Sequence, residues 1–342
     1  MSQKALRSPQ FVSVAAVAGS LSTELVISIN GTVRYRIAKN TTPNQLVQYE
    51  WAELARDYLN ISFDGTYTVQ EITVNLQVQG RVGVNGTGAI VQPMIMNTTV
   101  KGVDGFGTFM EGANPAIPFP SRTAPAWLVC VQSDAADIDS EIFAPTGVEG
   151  KIPYMKGSGD DYQLSYENYN TTDIVIGGEG EITQVLKINR VDCTKYGQGT
   201  KFTFINKYGM LQDIWFFLKH IKRLNRTTES FQRNTLTNLF QIGENNYYDV
   251  NEAPKKHFNT EGTQSNVFNS GYYPEKANCM LEELLLSNYV WMTRPSTSGS
   301  GEEVVPVMVK SSDLVYKTSL NEKLIEYTVE FEDAFDYINN VR

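Results

Sequence analysis

From Ile72 to Val84 the chain sets an apolar residue at alternate positions: Ile72, Val74, Leu76, Val78, Val82 and Val84. Thr73, Asn75, Gln77, Gln79, Arg81 and Gly83 stand between them. Successive side chains of a strand point to opposite faces, so this segment has one oily face and one wet face and reads as a long half-buried antiparallel strand. The same pattern returns at Ile325, Tyr327, Val329 and Phe331, alternating with Glu326, Thr328, Glu330 and Glu332. Both ends of the chain are therefore built from strands.

Other segments fall into place around these two. Leu25–Ile29 and Thr32–Ile37 flank Asn30-Gly31, the pair that supplies both positive-φ positions of a type I′ turn, and predict a hairpin. Phe11 to Val14 reads as a first strand; the alternative, a signal peptide built on Lys4, Arg7 and the apolar run to Gly19, is the weaker reading. Residues 50–59 put Trp51, Leu54, Ala55, Tyr58 and Leu59 on one helical face. Asn85-Gly86 marks a turn into a strand from Ile90 to Met96, and a further strand is expected over Trp127–Gln132. Residues 97–126, rich in Gly, Pro and Asn, read as a long loop with exposed aromatics, and residues 134–172 as a second loop-rich tract.

Later strands are expected over residues 182–191, 201–205, 284–292, 304–310, 313–317 and 323–331. Residues 213–218 fit a strand or a helix; the run Ile214-Trp215-Phe216-Phe217 after the Asn206–Gly209 turn favours a hairpin. The expected fold is mainly β, antiparallel sandwich or barrel-like domains with one or two short helices. With 342 residues, two domains are expected: 1–160, carrying the long loop 97–126, and 161–342.

The chemistry offered by the side chains is sparse. His220 and His257 sit among lysines with no partner at ligand or general-base spacing, and both read as surface residues. Cys130, Cys193 and Cys279 show no paired spacing and read as reduced structural residues. The glycines at 102–107 and 177–180 lack a phosphate-loop pattern and read as turns. Asp134, Asp137, Asp139 and Glu141 lack the regular ligand spacing of a calcium loop, and Glu53 and Asp57 read as the exposed side of a helix. No cofactor, metal or catalytic residue is expected. No stretch approaches the ~18 apolar residues of a helical membrane span, so no membrane anchor is expected.

Charge is uneven. The chain carries −9, yet residues 187–233 hold ten basic side chains against Asp192, Asp213 and Glu229, which leaves −16 for the remainder. Such a balance suits a solvated strand face or a contact with an acidic neighbouring subunit better than a grip on nucleic acid. Phe106, Phe109 and Met110 in the long loop, with Lys219, Lys222, Arg223 and Arg226 in the basic stretch, are the candidate subunit-interface residues.

Four stretches carry a resemblance: residues 49–59 continued by Phe63-Asp64-Gly65-Thr66-Tyr67, residues 103–115, residues 202–217 and residues 323–331. Together they resemble virion structural proteins of tailed bacteriophages, particularly tail or neck components of crAss-like and related phages of Bacteroidetes. The resemblance implies a non-enzymatic subunit, assembled in the host cytoplasm, that forms a homo-oligomeric ring or tube in the tail or neck with other tail and neck proteins. It implies too that packaged DNA passes nearby without sequence-specific binding; an acidic surface suits such a conduit, because bound phosphates retard sliding. Two other readings stand beside it: a receptor- or glycan-binding tail component using Phe106, Phe109, Tyr272 and Tyr273, and a depolymerase built on the acidic residues from Asp134 to Glu141.

Overall fold

The computed structural model describes residues 3–42, 44–117, 126–130, 140–158, 161–170, 173–176, 184–193, 199–233, 253–296, 301–311 and 324–338. The N-terminal strands are β1 (Gln3–Ala5), β2 (Phe11–Ala15), β3 (Ser22–Ile29), β4 (Thr32–Asn40), β5 (Leu46–Glu50), β6 (Glu71–Arg81), β7 (Ile90–Val103) and β8 (Ala116–Ile117). Helix α1 (Ala52–Arg56) follows β5. Six of these strands form one sheet in the order β4-β3-β6-β7-β1-β8, and β2 pairs with β5 beside it.

The alternation behind β6 does what a strand period requires. Ile72, Val74, Leu76 and Val78 are buried against Leu25, Ile27 and Ile29 of β3, against Val12 and Val47 of the β2–β5 pair, and against Trp51 and Ala55 at α1. On the other face Thr73, Asn75 and Gln77 stay half-exposed, and the Asn75 amide donates across the ladder to Asn97 (2.8 Å) and Thr99 (2.9 Å) of β7. Further along that face Glu24 is sunk beneath Arg81 (2.7 Å), Arg36 (3.6 Å) and the Gln79 amide. Asn30 and Gly31 adopt positive φ between β3 and β4, as the turn chemistry demands.

The strand ends at Arg81, earlier than the alternation suggests. Gly83, Asn85 and Gly86 bend the chain, a Cβ on Gly83 would lie 2.3 Å from Thr87, and Val82 and Val84 face outward. Helix α1 spans five residues where ten were expected, although Trp51 and Ala55 are buried and Leu54, Tyr58 and Leu59 pack at the edge of the core.

A middle group follows: β9 (Ala126–Trp127), β10 (Ser140–Pro145), β11 (Gly150–Ser158), β12 (Asp161–Tyr169), β13 (Ile174–Ile176) and β14 (Gln184–Val191). They form two three-stranded sheets, β12-β11-β9 and β10-β14-β13, with β10 and β14 parallel. The tract expected to be loop over 134–172 is therefore mostly strand where it is described. Pairing between distant strands, such as Ile142 with Ile188, creates order that local turn formers conceal. Residue 161, where the second domain was expected to begin, is the first residue of β12, which pairs with β11; residue 160 lies outside the described residues.

The last group holds β15 (Thr200–Ile205), β16 (Leu211–Phe216), β17 (Ile221–Gln232), β18 (Lys255–Pro274), helix α2 (Asn278–Leu286), β19 (Val290–Pro295), β20 (Glu302–Val309) and β21 (Leu324–Asp333). Seven strands form one antiparallel sheet, β16-β15-β19-β20-β21-β18-β17. β15 and β16 form the expected hairpin. At its turn Asn206 accepts from the N–H groups of Tyr208 (3.0 Å) and Met210 (3.1 Å), and Gly209 has positive φ against Val103.

This sheet is rolled. A flat sheet would hold β15 and β21 ~14 Å apart and β16 and β18 ~24 Å apart, at ~4.8 Å per strand. Instead Phe202 of β15 stacks on Phe331 of β21 with centroids 4.1 Å apart, and Phe216 and Phe268 close round them edge to face. Just past β16, the N–H groups of Phe217 and Leu218 reach the carbonyls of Ser270 (3.3 Å) and Asn269 (3.4 Å) in β18. The roll encloses an aromatic core without forming a complete barrel ladder.

Two expectations are overturned here. Residues 284–286, expected at the start of a strand, end α2, whose Met280, Leu281 and Leu284 are buried at helical spacing; the apolar run into Val290 masked that period. The cysteines do not all remain free. Cys130, after β9, lies 5.8 Å (Cα–Cα) from Cys279 in α2 and the two form a disulfide, while Cys193 is free and half-buried. Long-range packing brings together residues 149 apart in sequence, which spacing alone does not reveal.

Two measurements follow from this packing. Leu76→Ala, which empties a fully buried site, is expected to cost about 2–5 kcal/mol in urea unfolding, whereas Thr73→Ser on the wet face stays within about 0.5 kcal/mol. Non-reducing peptide mapping should recover a Cys130–Cys279 linked pair with Cys193 alkylated, and reduction should lower stability by roughly 2–4 kcal/mol.

Candidate assembly surface

The loop after β7 is shorter than expected, because β7 continues through Asn97 to Val103; residues 118–125 lie outside the described residues. What remains is held at its root. Asp104 is buried and receives the Arg56 guanidinium at 3.1 Å; burial raises its carboxyl against the opposing pull of Arg56 and Arg7. Arg7 lies over the Phe106 ring at 5.1 Å, and the Phe106 N–H donates to the Lys207 carbonyl (2.9 Å). Glu111 accepts from the Thr108 N–H (2.5 Å) and from Lys207 Nζ (2.9 Å).

These contacts separate the three loop candidates. Phe106 is a half-buried anchor, while Phe109 and Met110, on one 3-10 turn, are 98% and 91% exposed. A fixed backbone thus presents two large apolar side chains to solvent, a costly arrangement for a free surface and a usual one for a contact surface.

The basic candidates belong to a different device. Lys219 precedes β17, and Lys222, Arg223 and Arg226 lie on it; all twelve residues of β17 are exposed, and it is the edge of its sheet. Its partner β18 runs for twenty residues. From Ser265 onward β18 also pairs with β21, but from Lys255 to Gln264 it pairs with β17 alone. The outer stretch is therefore a two-stranded arm ~30 Å long at ~3.3 Å per residue.

The Arg223–Glu330 pair (4.0 Å) and the Tyr337 N–H on the Gly262 carbonyl (2.8 Å) tie its base to the body. Further out, Phe231 and Phe258 make an edge-on ring pair (6.0 Å), and both are exposed, as are Ile221 and Leu224. Residues 219–233 and 255–261 carry seven basic side chains against Glu229 and Glu261, so this segment is +5 and the rest of the chain −14.

Ile221 and Leu224 also fit the helical spacing of Ile214, Phe217 and Leu218 but lie on an exposed strand, and Phe231 and Phe258, which follow no regular alternation, were missed by sequence reasoning. The surplus of basic residues was the available signal. Of the aromatics read as exposed, Tyr272 is exposed but Tyr273 is buried, its hydroxyl donating to the Trp215 carbonyl (2.6 Å); neighbours in a strand face opposite ways, and Tyr273 faces the core. His220 and His257 are both exposed, and His220 stacks on Phe268 at 4.7 Å. Glu141 accepts from Asn189 (3.0 Å) and pairs with Lys276; Asp134, Asp137, Asp139 and the glycines at 177–180 lie outside the described residues.

Among the described residues no group of three or more His, Cys, Asp or Glu is placed to hold a metal ion, and no helix is long and apolar enough to cross a membrane. No protein-family model matches the chain, and no curated protein or solved structure matches it.

The seat of the loop carries a pH signature. Glu283 of α2 accepts from the Lys207 N–H (3.2 Å); burial pushes its carboxyl up to about 7 against the pull of that bond and of the Lys207 charge. A carboxyl raised on folding contributes stability that is complete below its unfolded value and lost as pH rises through about 7. Glu283→Gln keeps the acceptor and removes the ionisation. The variant should match the parent in thermal unfolding at pH 4 and exceed it at pH 8, by about 1–3 kcal/mol.

Proposed function

We propose that this chain is a non-enzymatic structural subunit that assembles with copies of itself into a ring or tube, as the resemblance to phage tail and neck components implies. The observation that carries this reading is the arm. An isolated two-stranded hairpin is at best marginally stable in water, and this one exposes both faces together with Phe231, Phe258 and Leu224. Such a strand pair gains most by lying on another surface. Its unpaired edge and its +5 charge fit a body that carries −14, so the occupant is a second copy of the chain. Phe109 and Met110 supply a second apolar contact on a pinned loop.

In a tail or neck, such a ring would enclose a conduit for DNA, meet other tail and neck proteins along its axis, and require no cofactor. The acidic body suits the conduit wall and the basic arm suits the intersubunit contact. In the virion the subunit would take its place after assembly in the host cytoplasm.

Native mass spectrometry and electron microscopy of the purified protein test this reading. Rings or tubes are expected at micromolar concentration, with hydrogen exchange at residues 104–112 and 221–232 slowed only in the assembled form. Arg226→Glu combined with Phe231→Ser should weaken assembly about tenfold or more and leave the monomer folded. A chain that stays monomeric in isolation and occupies no ring in particles overturns the proposal.

A further inference from the structure

The turn that carries Phe109 and Met110 is fixed to one end of the β15–β16 hairpin. Lys207, between those two strands, accepts the Phe106 N–H at its carbonyl (2.9 Å) and reaches Glu111 with its ammonium (2.9 Å). Gly209 of the same connection packs against Val103 and Gly105. The two exposed side chains thus form a knob mounted on the closed end of the hairpin.

At the open end of the same hairpin, just past β16, the surface is hollow. A cavity of about 530 Å³ lies there, walled by Val191, Cys193, Phe217, Leu218 and Tyr272. A bulge in β18 helps to keep it free of the chain's own side chains. The ladder with β21 shifts between Asn269 and Tyr272, and Gly271, at positive φ inside that bulge, puts no Cβ where one would lie 3.2 Å from Phe217. Tyr272, next in the chain, is 64% exposed and stands as one wall.

Knob and cavity match in shape, charge and position. The knob is convex and apolar, and the cavity is concave, mostly apolar and of a size that encloses a small ligand. Glu111 beside the knob is neutralised by Lys207, and the cavity rim carries one residue of each sign, Asp192 and Lys219. Neither surface therefore strands a net charge when water is expelled. From Thr200 to Ile205 the hairpin puts ~17 Å of ladder between its two ends. A knob pinned at one end does not enter the cavity at the other end of its own hairpin, so the contact takes two copies. It joins unlike surfaces head to tail, the kind of contact that closes into rings or runs on as tubes.

We infer that the Phe109–Met110 knob of one copy seats in the cavity beside Phe217 and Tyr272 of the next. This inference rests on the assembly reading above and adds which surfaces meet and in which direction the assembly grows. The cavity adjoins the arm: Lys219 on its rim is followed two residues later by β17. A copy seated there lies against the root of the receiving copy's arm, and the two contacts become one surface.

The chain supplies its own probe, because Cys193 is free and lines the cavity. Met110→Cys changes a solvent-exposed side chain and places a second thiol on the knob. Mild oxidation of the assembled variant should join that thiol to Cys193 of a neighbouring copy, giving a ladder of covalent multimers on non-reducing gels, with the linked peptides identified by mass spectrometry. Adding Cys193→Ser should abolish the ladder. In the parent protein Cys193 should react with N-ethylmaleimide about tenfold or more slowly in the assembly than in the dilute monomer, and Phe109→Ser should weaken assembly about tenfold or more. The inference is overturned if the assembled variant forms no link, if it links only knob to knob, or if Cys193 is alkylated equally fast in both states. Native mass spectrometry of the same samples separates the two readings: intact rings without the link leave the assembly reading standing, and a chain that stays monomeric and unlinked brings down both.

Discussion

The stack of Phe202 on Phe331 is the contact on which the C-terminal half depends. It joins the third neighbours of a seven-stranded sheet face to face, which is impossible unless the sheet bends around them. Once bent, the sheet buries Phe216 and Phe268 in the same cluster, and β18 comes within hydrogen-bonding reach of the chain leaving β16. Aromatic pairs add directional preference to area burial, so the rings fix the curvature as well as the core. The arm leaves the roll where β18 runs beyond its ladder with β21.

The parts of this fold that a sequence reveals are those whose cause is local. Alternation over Ile72–Val78 marks β6 because each residue's burial follows from its parity, and Asn30-Gly31 marks a hairpin because the turn needs positive φ there. The parts it conceals have distant causes. Ser140–Pro145 is a strand because residues more than forty positions later pair with it, and Cys130 meets Cys279 because α2 packs beside the segment after β9. Leu284–Leu286 misled because an apolar run next to a strand carries no period of its own. The surface candidates were half legible: composition exposed the basic stretch, and the glycine-rich loop exposed Phe109 and Met110. That Phe106 would be an anchor depends on Arg7 and Lys207, far away in the chain.

The two halves are not separate bodies joined by a tether. Ala5 and Val103 share a core with Leu128, Met155 and Met210, and Phe63 packs with Leu211 and Trp291. Lys207 ties the N-terminal loop, through Glu111, to the same turn whose N–H contacts Glu283 of α2. The apolar tip at Phe109–Met110 is therefore borne on a junction with contributions from both ends of the sequence, which holds an exposed contact rigid at little entropic cost on binding.

β18 gives the molecule a mechanical property that neither half has alone. One continuous strand serves as the free wall of the arm and then as a stave of the aromatic core. A strand is stiff along its axis and resists sliding against its hydrogen-bonded neighbours. Load applied at the outer end of the arm is consequently carried along β18 into its ladder with β21, which begins at Ser265.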